Sequence, residues 1–317
     1  MKENRAFFLL LLFFIALLGF GVFFWLYYIY STVPLYSRAL IIYQFNLPRI
    51  LLDILCGSLF ALAGTFLQAC IKNPLGSPEV MGISTASVLS IAIALSFGFS
   101  QTPIILMLCA FLGALIAILC VFLFSYKNGH ITILQLILMG SGVALFTKAV
   151  LHFLTLNMPP AVTSLLTIIA GSSYGANWHL LHYLLPIGIV SLIIGICFSY
   201  KIKYLYLGDV LCKSLGINIL RLRISLLLLV VLLTALASAG TGNLGFVGLV
   251  APNIARLLTK RQMQWILLYA IVLGALFVLF ADALNVFVFS PTEIPVGLIT
   301  IIIGTPYFIW LLRRSDT

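Results

Sequence analysis

The chain has 317 residues, of which 63% are hydrophobic and 8% charged, with a mean hydropathy of +1.23. Soluble domains carry about 25% charged residues, so the composition excludes a soluble globular protein and leaves a polytopic membrane protein. The formal net charge of +10 does not point to nucleic acid, because the basic residues sort by membrane side.

The apolar runs are long and unbroken. That is the pattern of helices, which satisfy their own backbone in lipid, and not of alternating β-barrel strands. An all-α protein with about ten transmembrane helices is predicted, with spans near 6–30, 48–70, 80–98, 103–125, 132–155, 179–200, 223–239, 246–258, 264–282 and 296–312. The first run, Ala6 to Tyr30, is too long for a signal peptide and lacks a small-residue cleavage site, so it reads as a retained span. With the N-terminus inside, every Lys and Arg except Arg38, Arg49 and Lys148 falls on an inner segment. This asymmetry predicts that both termini are cytoplasmic.

Span two carries Gly57, Ala61, Gly64 and Gln68 on one helical face. Small residues there let another helix approach closely. The segment Lys72-Asn73-Pro74-Leu75-Gly76-Ser77-Pro78-Glu79 reads as a rigid cytoplasmic turn. Span five places Ser141, Leu145, Lys148 and His152 on one face. A cation inside the bilayer faces a cavity or a partner, or else snorkels to the surface, and the spacing leaves both open. The outer segment Leu156 to Trp178 has no charge and holds Pro159, Pro160, Gly171 and Gly175. It suits either a half-helix lining a vestibule or a surface loop.

Lys201 to Arg223 is the one long polar break. Asp209 can cap a short helix and Gly216 can close it in the left-handed conformation. A structured knob of this kind would touch a soluble partner; a solvated basic loop is the plainer reading. After span seven, four Gly between Gly240 and Gly248 break the helix. The apolar piece that follows, Leu244 to Leu258, is only about 22 Å long at about 1.5 Å per residue. Irregular backbone at this depth must be buried in protein or line a cavity. Span nine is predicted to end at Asp282, and Pro291, Glu293 and Pro295 form an outer turn. In span ten Gly297, Thr300, Gly304 and Tyr307 share a face, a pathway wall, a subunit contact or ordinary packing.

The six Cys lack paired spacing and read as small packing residues, with no disulfide framework or metal site. No GxxxxGK[ST] or HExxH occurs, which argues against nucleotide binding and zinc-dependent intramembrane hydrolysis by this chain. An ion-coupled transporter would need acids at membrane depth; Asp53, Glu79, Asp282 and Glu293 all lie near predicted span ends.

Several stretches together resemble one family. They are Leu47-Pro48-Arg49, the Gly57-to-Gln68 face, Asn73-Pro74-Leu75 with Pro78, Leu207-Gly208-Asp209 with Leu215-Gly216-Ile217-Asn218, Gly245 to Pro252, Ala281-Asp282, and Glu293-Ile294-Pro295-Val296-Gly297 with Ile303-Gly304-Thr305-Pro306. In this order they resemble the FecCD-type permeases of bacterial ATP-binding-cassette importers for iron siderophores, haem or vitamin B12. The resemblance implies a single permease domain over residues 1–317 of the type II importer fold, in the bacterial cytoplasmic membrane. It implies a second permease subunit (a paralogue or a second copy), two ATPase subunits and an extracytoplasmic substrate-binding protein. ATP and Mg would sit on the ATPases, with no cofactor on this chain.

By the same resemblance Asp209, Lys213, Ser214, Leu215, Gly216, Asn218 and Arg221 would couple to the ATPases. Arg38, Arg49 and Glu293 would receive the binding protein. Ser141, Lys148 and His152 on span five and Gly297, Thr300 and Gly304 on span ten would line the pathway. The chain departs from the pattern at Asn46, Asn253 and Asn285, where Arg, His and Arg are expected. The loss of outer Arg points to a heterodimer whose paralogue supplies them. Arg49 would dock the binding protein or pair with Asp53, one turn on. A ferric siderophore is the favoured cargo, with haem and cobalamin as alternatives.

Overall fold

Residues 47–71 form the axis of the bundle because their sequence lets neighbours come within backbone distance. A side chain at Gly57 would collide with the backbone of Gly274, and one at Gly64 with the backbone of Gly248. Gln68 Nε2 donates to the Gly248 carbonyl at 3.4 Å. The small-residue face predicted from the sequence is thus a packing face, and lipid helices associate through such close contacts.

The computed structural model describes residues 2–32, 34–125, 133–157, 169–207, 212, 214–259, 263–290, 292 and 294–315. In chain order the elements are α1 (Lys2–Thr32), α2 (Leu35–Ile41), a π-helical segment (Ile42–Asn46), α3 (Leu47–Ile71), α4 (Ile83–Ser96), α5 (Pro103–Ser125), α6 (Ile133–Asn157), α7 (Trp178–Leu207), α8 (Ile219–Thr241), α9 (Val247–Thr259), α10 (Met263–Phe289) and α11 (Val296–Ser315). Among the described residues there is no strand. Each predicted span corresponds to one of α1 and α3–α11.

α3 is buried along nearly its whole length, between α10, α8, α9 and α7. α4, α5 and α6 pack on one another, and α4 and α5 join the core through α8. α1 lies on the outside of α10, tied by Tyr269 Oη to the Phe7 carbonyl at 2.6 Å. Among the described residues, seven helical stretches are long and apolar enough to cross a membrane. α4 and α9 are shorter, with 14 and 13 residues, or about 20 Å each at about 1.5 Å per residue.

Irregular backbone completes those two paths, and protein groups satisfy it, as lipid requires. α3 ends with Lys72 in the left-handed region, φ 51°. The following turn is closed by Asn73 Oδ1, which accepts from Leu75 N, and by the Pro78 carbonyl, which accepts from Ile83 N. Asn253 Nδ2 donates to the Pro74 carbonyl at 2.9 Å, fastening this turn to α9. The second break, 242–246, is flanked by Ser172 N donating to the Thr241 carbonyl and by Ser84 Oγ donating to Asn243 Oδ1 at 2.7 Å.

Two features differ from the sequence expectation. The outer stretch before α3 is helical, α2 and the π segment running directly into α3. A π turn loosens the ladder just before Pro48, which lacks an N–H, and Asn46 Nδ2 takes the Ile41 carbonyl at 3.2 Å. α10 also continues past Asp282 to Phe289, since Ala283 to Phe289 contains no helix breaker. Asp282 is therefore inside a helix and not at its end.

Candidate translocation and coupling sites

Three groups of polar residues stand out from the hydrocarbon. The first joins α3 to α10. Arg49 reaches Asp282 with a two-pronged guanidinium, Nε to Oδ2 at 2.6 Å and Nη2 to Oδ1 at 2.7 Å. Ser173 Oγ adds a bond to Asp282 Oδ2 at 3.2 Å. Arg49, Asp53 and Asp282 are all buried. The pairing partner found for Arg49 is Asp282, 233 positions away, not Asp53 one turn on. Arg38, the other outer basic residue, stacks on the Tyr30 ring at 3.9 Å. Glu293 lies outside the described residues. Beside it, Asn285 clamps the backbone of Ile294, Nδ2 to its carbonyl at 2.7 Å and Oδ1 from its N–H at 3.0 Å. The residue standing where Arg was expected thus holds the backbone at Ile294 in place.

The second group gathers around the break at 242–246. The segment 78–82 climbs along α6: side chains at Gly82 and Gly140 would run into Ala144 and Met81. This lifts Glu79 to Lys148, Oε1 to Nζ at 3.7 Å, with the Lys148 side chain 49% exposed and that of Glu79 17%. Glu79 Oε2 also accepts from Phe246 N at 3.3 Å. Phe246 has φ 64°, uncommon for a non-glycine residue, and precedes the first turn of α9. A carboxylate there meets the positive end of the helix dipole. The sequence reading of 72–79 as a surface turn missed this ion pair. The signal for it was Lys148 itself, since an intramembrane cation calls for an acid and the chain has 7 Asp and Glu in all.

The predicted faces of α6 and α11 meet this group differently. On α6 Leu145, Lys148 and His152 are exposed and Ser141 is half-buried, its Oγ donating to the Leu138 carbonyl. On α11 Gly297, Thr300 and Gly304 are buried against the chain itself. A side chain at Gly297 would strike the Ala170 carbonyl, one at Gly304 the Phe246 ring, and Thr300 Oγ1 donates to the Gly297 carbonyl. Gly297 N also donates to the Gly171 carbonyl at 2.8 Å. The glycines therefore let α11 lie directly on the break. Much of the uncharged outer segment, residues 158–168, lies outside the described residues.

The third group is the knob between α7 and α8. Asp209 and Lys213 fall outside the described residues. Cys212 is buried with Sγ 3.0 Å from the Tyr204 carbonyl, and its own carbonyl accepts from Ile217 N. Gly216 has φ +71°, the left-handed closure expected of it. Asn218 caps α8, Oδ1 accepting from Arg221 N at 3.1 Å. Ser214, Arg221 and the apolar Leu215 and Leu220 face outward. Among the described residues, no group of three or more His, Cys, Asp or Glu could hold a metal ion.

The FecCD transport family model matches residues 8–314. The chain belongs to the FecCD transport family. It is 37% identical over 279 residues to the Fe(3+)-citrate import system permease protein YfmE of Bacillus subtilis, covering 88% of this chain and 83% of that protein. It is 35% identical to the iron(3+)-hydroxamate import system permease protein FhuG of the same organism (87% of this chain, 84% of that one). To the hemin transport system permease protein HmuU of Yersinia pestis it is 32% identical, with 85% and 82% covered. A solved inward-facing metal-chelate-type ABC transporter superposes with a TM-score of 0.82 at 28% identity, covering 96% of this chain and 99% of that one. This FecCD chain is a multi-pass membrane protein of a transport family.

Proposed function

We propose that this chain is the transmembrane permease subunit of an ATP-binding-cassette importer for an iron chelate, with a ferric siderophore as the favoured cargo. The observation that carries the reading is the family match from residue 8 to 314 on a chain without a phosphate-binding loop. The energy then comes from ATP and Mg on two partner ATPase subunits. A second permease completes the pathway and an extracytoplasmic binding protein delivers the cargo. Both termini and the 201–223 knob face the cytoplasm, in keeping with the basic residues on those segments.

In this reading ATP-driven closure of the ATPases pushes on the knob. Gly216 fixes its turn, Leu215 and Leu220 supply apolar contacts, and Arg221 a charged one. Asn218 joins the knob to the first turn of α8, so displacement passes into a helix that packs along α3. The face of α6 bearing Ser141, Lys148 and His152 contributes to the pathway wall, while Gly297, Thr300 and Gly304 set α11 against the break. Lys148 offers a positive charge to an anionic ferric chelate, and its partial exposure supports this role. The paralogue supplies outer Arg for the binding protein, since Arg49 is committed to Asp282.

The experiment is purification of the tagged chain in mild detergent from its native membrane, with every co-purifying protein identified. The expected result is an ATPase and a second, different permease. Recovery of a single permease species would overturn the heterodimer, and absence of any ATPase across several detergents would overturn the importer.

A further inference from the structure

Two carboxylates and one guanidinium meet where α3, α10 and the 171–175 segment pack together. Asp282 is satisfied by the Arg49 fork and the Ser173 hydroxyl. Asp53 is not. It is 0% exposed, and neither of its oxygens has a hydrogen-bond partner. It stands one turn beyond Arg49 on α3, beside Asp282 and Ser173. The other groups facing the cluster are Cys56 on α3 and, across Arg49, the Trp25 ring on α1, 5.9 Å from the guanidinium carbon. Neither brings a positive charge.

An ionised carboxylate without a partner is among the costliest groups a protein can bury. The Arg49 fork is directed at Asp282, so the described groups sum to one negative charge. Two ionised carboxylates side by side repel, whereas two that hold one proton attract, because the protonated one donates to the other. We propose that Asp53 and Asp282 share a single proton, making the cluster a neutral proton-binding site that joins α3, α10 and the 171–175 segment. Asp53 O–H donates to Asp282, which stays ionised toward Arg49. The ligand is a proton and not a metal ion, because a cation would meet only two carboxylates and a hydroxyl beside a guanidinium 2.6 Å from one of them.

The proton fastens the segment 171–175 to the helices behind it. Ser173 bonds Asp282, and Gly171 and Ser172 bond α11 and the end of α8. The site thus lies where four helices meet the 171–175 segment and does not depend on the cargo. It also has a signed consequence. The folded chain holds one proton more than the unfolded chain near neutral pH, so the folded population falls as pH rises, by up to about tenfold per pH unit until the folded site gives up its proton.

The test is infrared spectroscopy of the full-length protein in lipid near neutral pH, with and without isotope-labelled aspartate. The expected result is a carboxylic-acid C=O stretch that shifts with the label and disappears in Asp53→Asn. Absence of that band in the wild type, or its persistence in Asp53→Asn, would overturn the proposal. So would its loss on addition of Na⁺ or K⁺ at constant pH, which would assign the site to a monovalent cation. Thermal unfolding against pH gives a second readout. Between about pH 5 and pH 8, above the ordinary carboxylate range and below that of thiols, the wild type should lose stability as pH rises, and Asp53→Asn, which keeps shape and neutrality, should not. An equal loss in both proteins over that range would contradict the shared proton.

Discussion

Replacing Arg49 with Met removes the only cation the described residues place on Asp282. Two charge-assisted hydrogen bonds, at 2.6 and 2.7 Å, disappear from a carboxylate that is 0% exposed. Bonds of this kind contribute about 1.5–3 kcal/mol each. Breaking a buried pair by removing one partner costs about 3–5 kcal/mol, since a buried charge is left behind. The two routes agree, so Arg49→Met should destabilise the protein by about 3–5 kcal/mol. Asp282→Leu should cost less, because Asp53 is one turn from Arg49 and can take over part of its charge. The double variant should recover most of the loss, as apolar replacement of a whole buried pair is often neutral. The assay is reversible unfolding in mixed micelles followed by circular dichroism, with all four proteins forming a double-mutant cycle. If Arg49→Met unfolds within about 0.5 kcal/mol of wild type, as an ordinary surface substitution would, the buried pair is refuted. Arg49 would then be free to dock the binding protein.

Gly64→Ala should prevent α3 and α9 from closing, and fluorescence-monitored gel filtration should show loss of monodisperse protein. Gly19→Ala, with nothing within 4 Å, should be neutral or stabilising by up to about 1 kcal/mol; equal behaviour of the two would contradict the packing described. Glu79→Lys should lower uptake of the ferric chelate, and the swap Glu79→Lys with Lys148→Glu should restore part of it. Melting temperature should barely move in either, because partly exposed pairs contribute about 1 kcal/mol or less, and a large drop would make the pair structural. Gly216→Pro forces φ to about −65° where +71° is needed. It and Asp209→Lys should abolish transport while leaving membrane insertion intact, and normal transport by both would remove the coupling role of the knob.

Much of the fold was legible because lipid enforces simple rules. Runs of apolar residues marked every spanning helix, and Gly57 and Gly64 marked the face that meets α10 and α9. Gly216 marked the turn of the knob by local backbone chemistry alone. What escaped depended on contacts far apart in sequence. Asn46 and Pro48 look like loop punctuation, yet a π turn carries the helix through them. Asp282 looked like a span terminus, and nothing local linked it to Arg49. Glu79 sat among prolines that suggested a surface turn, and only the climb of 78–82 along α6 brings it to Lys148. The exposed face of α6 bearing Leu145, Lys148 and His152 was legible as a stripe. That the matching face of α11 would be filled by the chain's own backbone was not, because Gly297 and Gly304 read the same whether they face a channel or a neighbour.

The most direct test of the central claim is uptake of radiolabelled iron by cells with and without this chain, each treated with a protonophore while ATP is maintained. Iron is offered in turn as ferric citrate, a ferric hydroxamate and haemin. The importer reading expects that deletion abolishes uptake of at least one chelate and that the protonophore leaves that uptake intact. Uptake of all three chelates unaffected by deletion, or abolished by the protonophore with ATP still present, would contradict it.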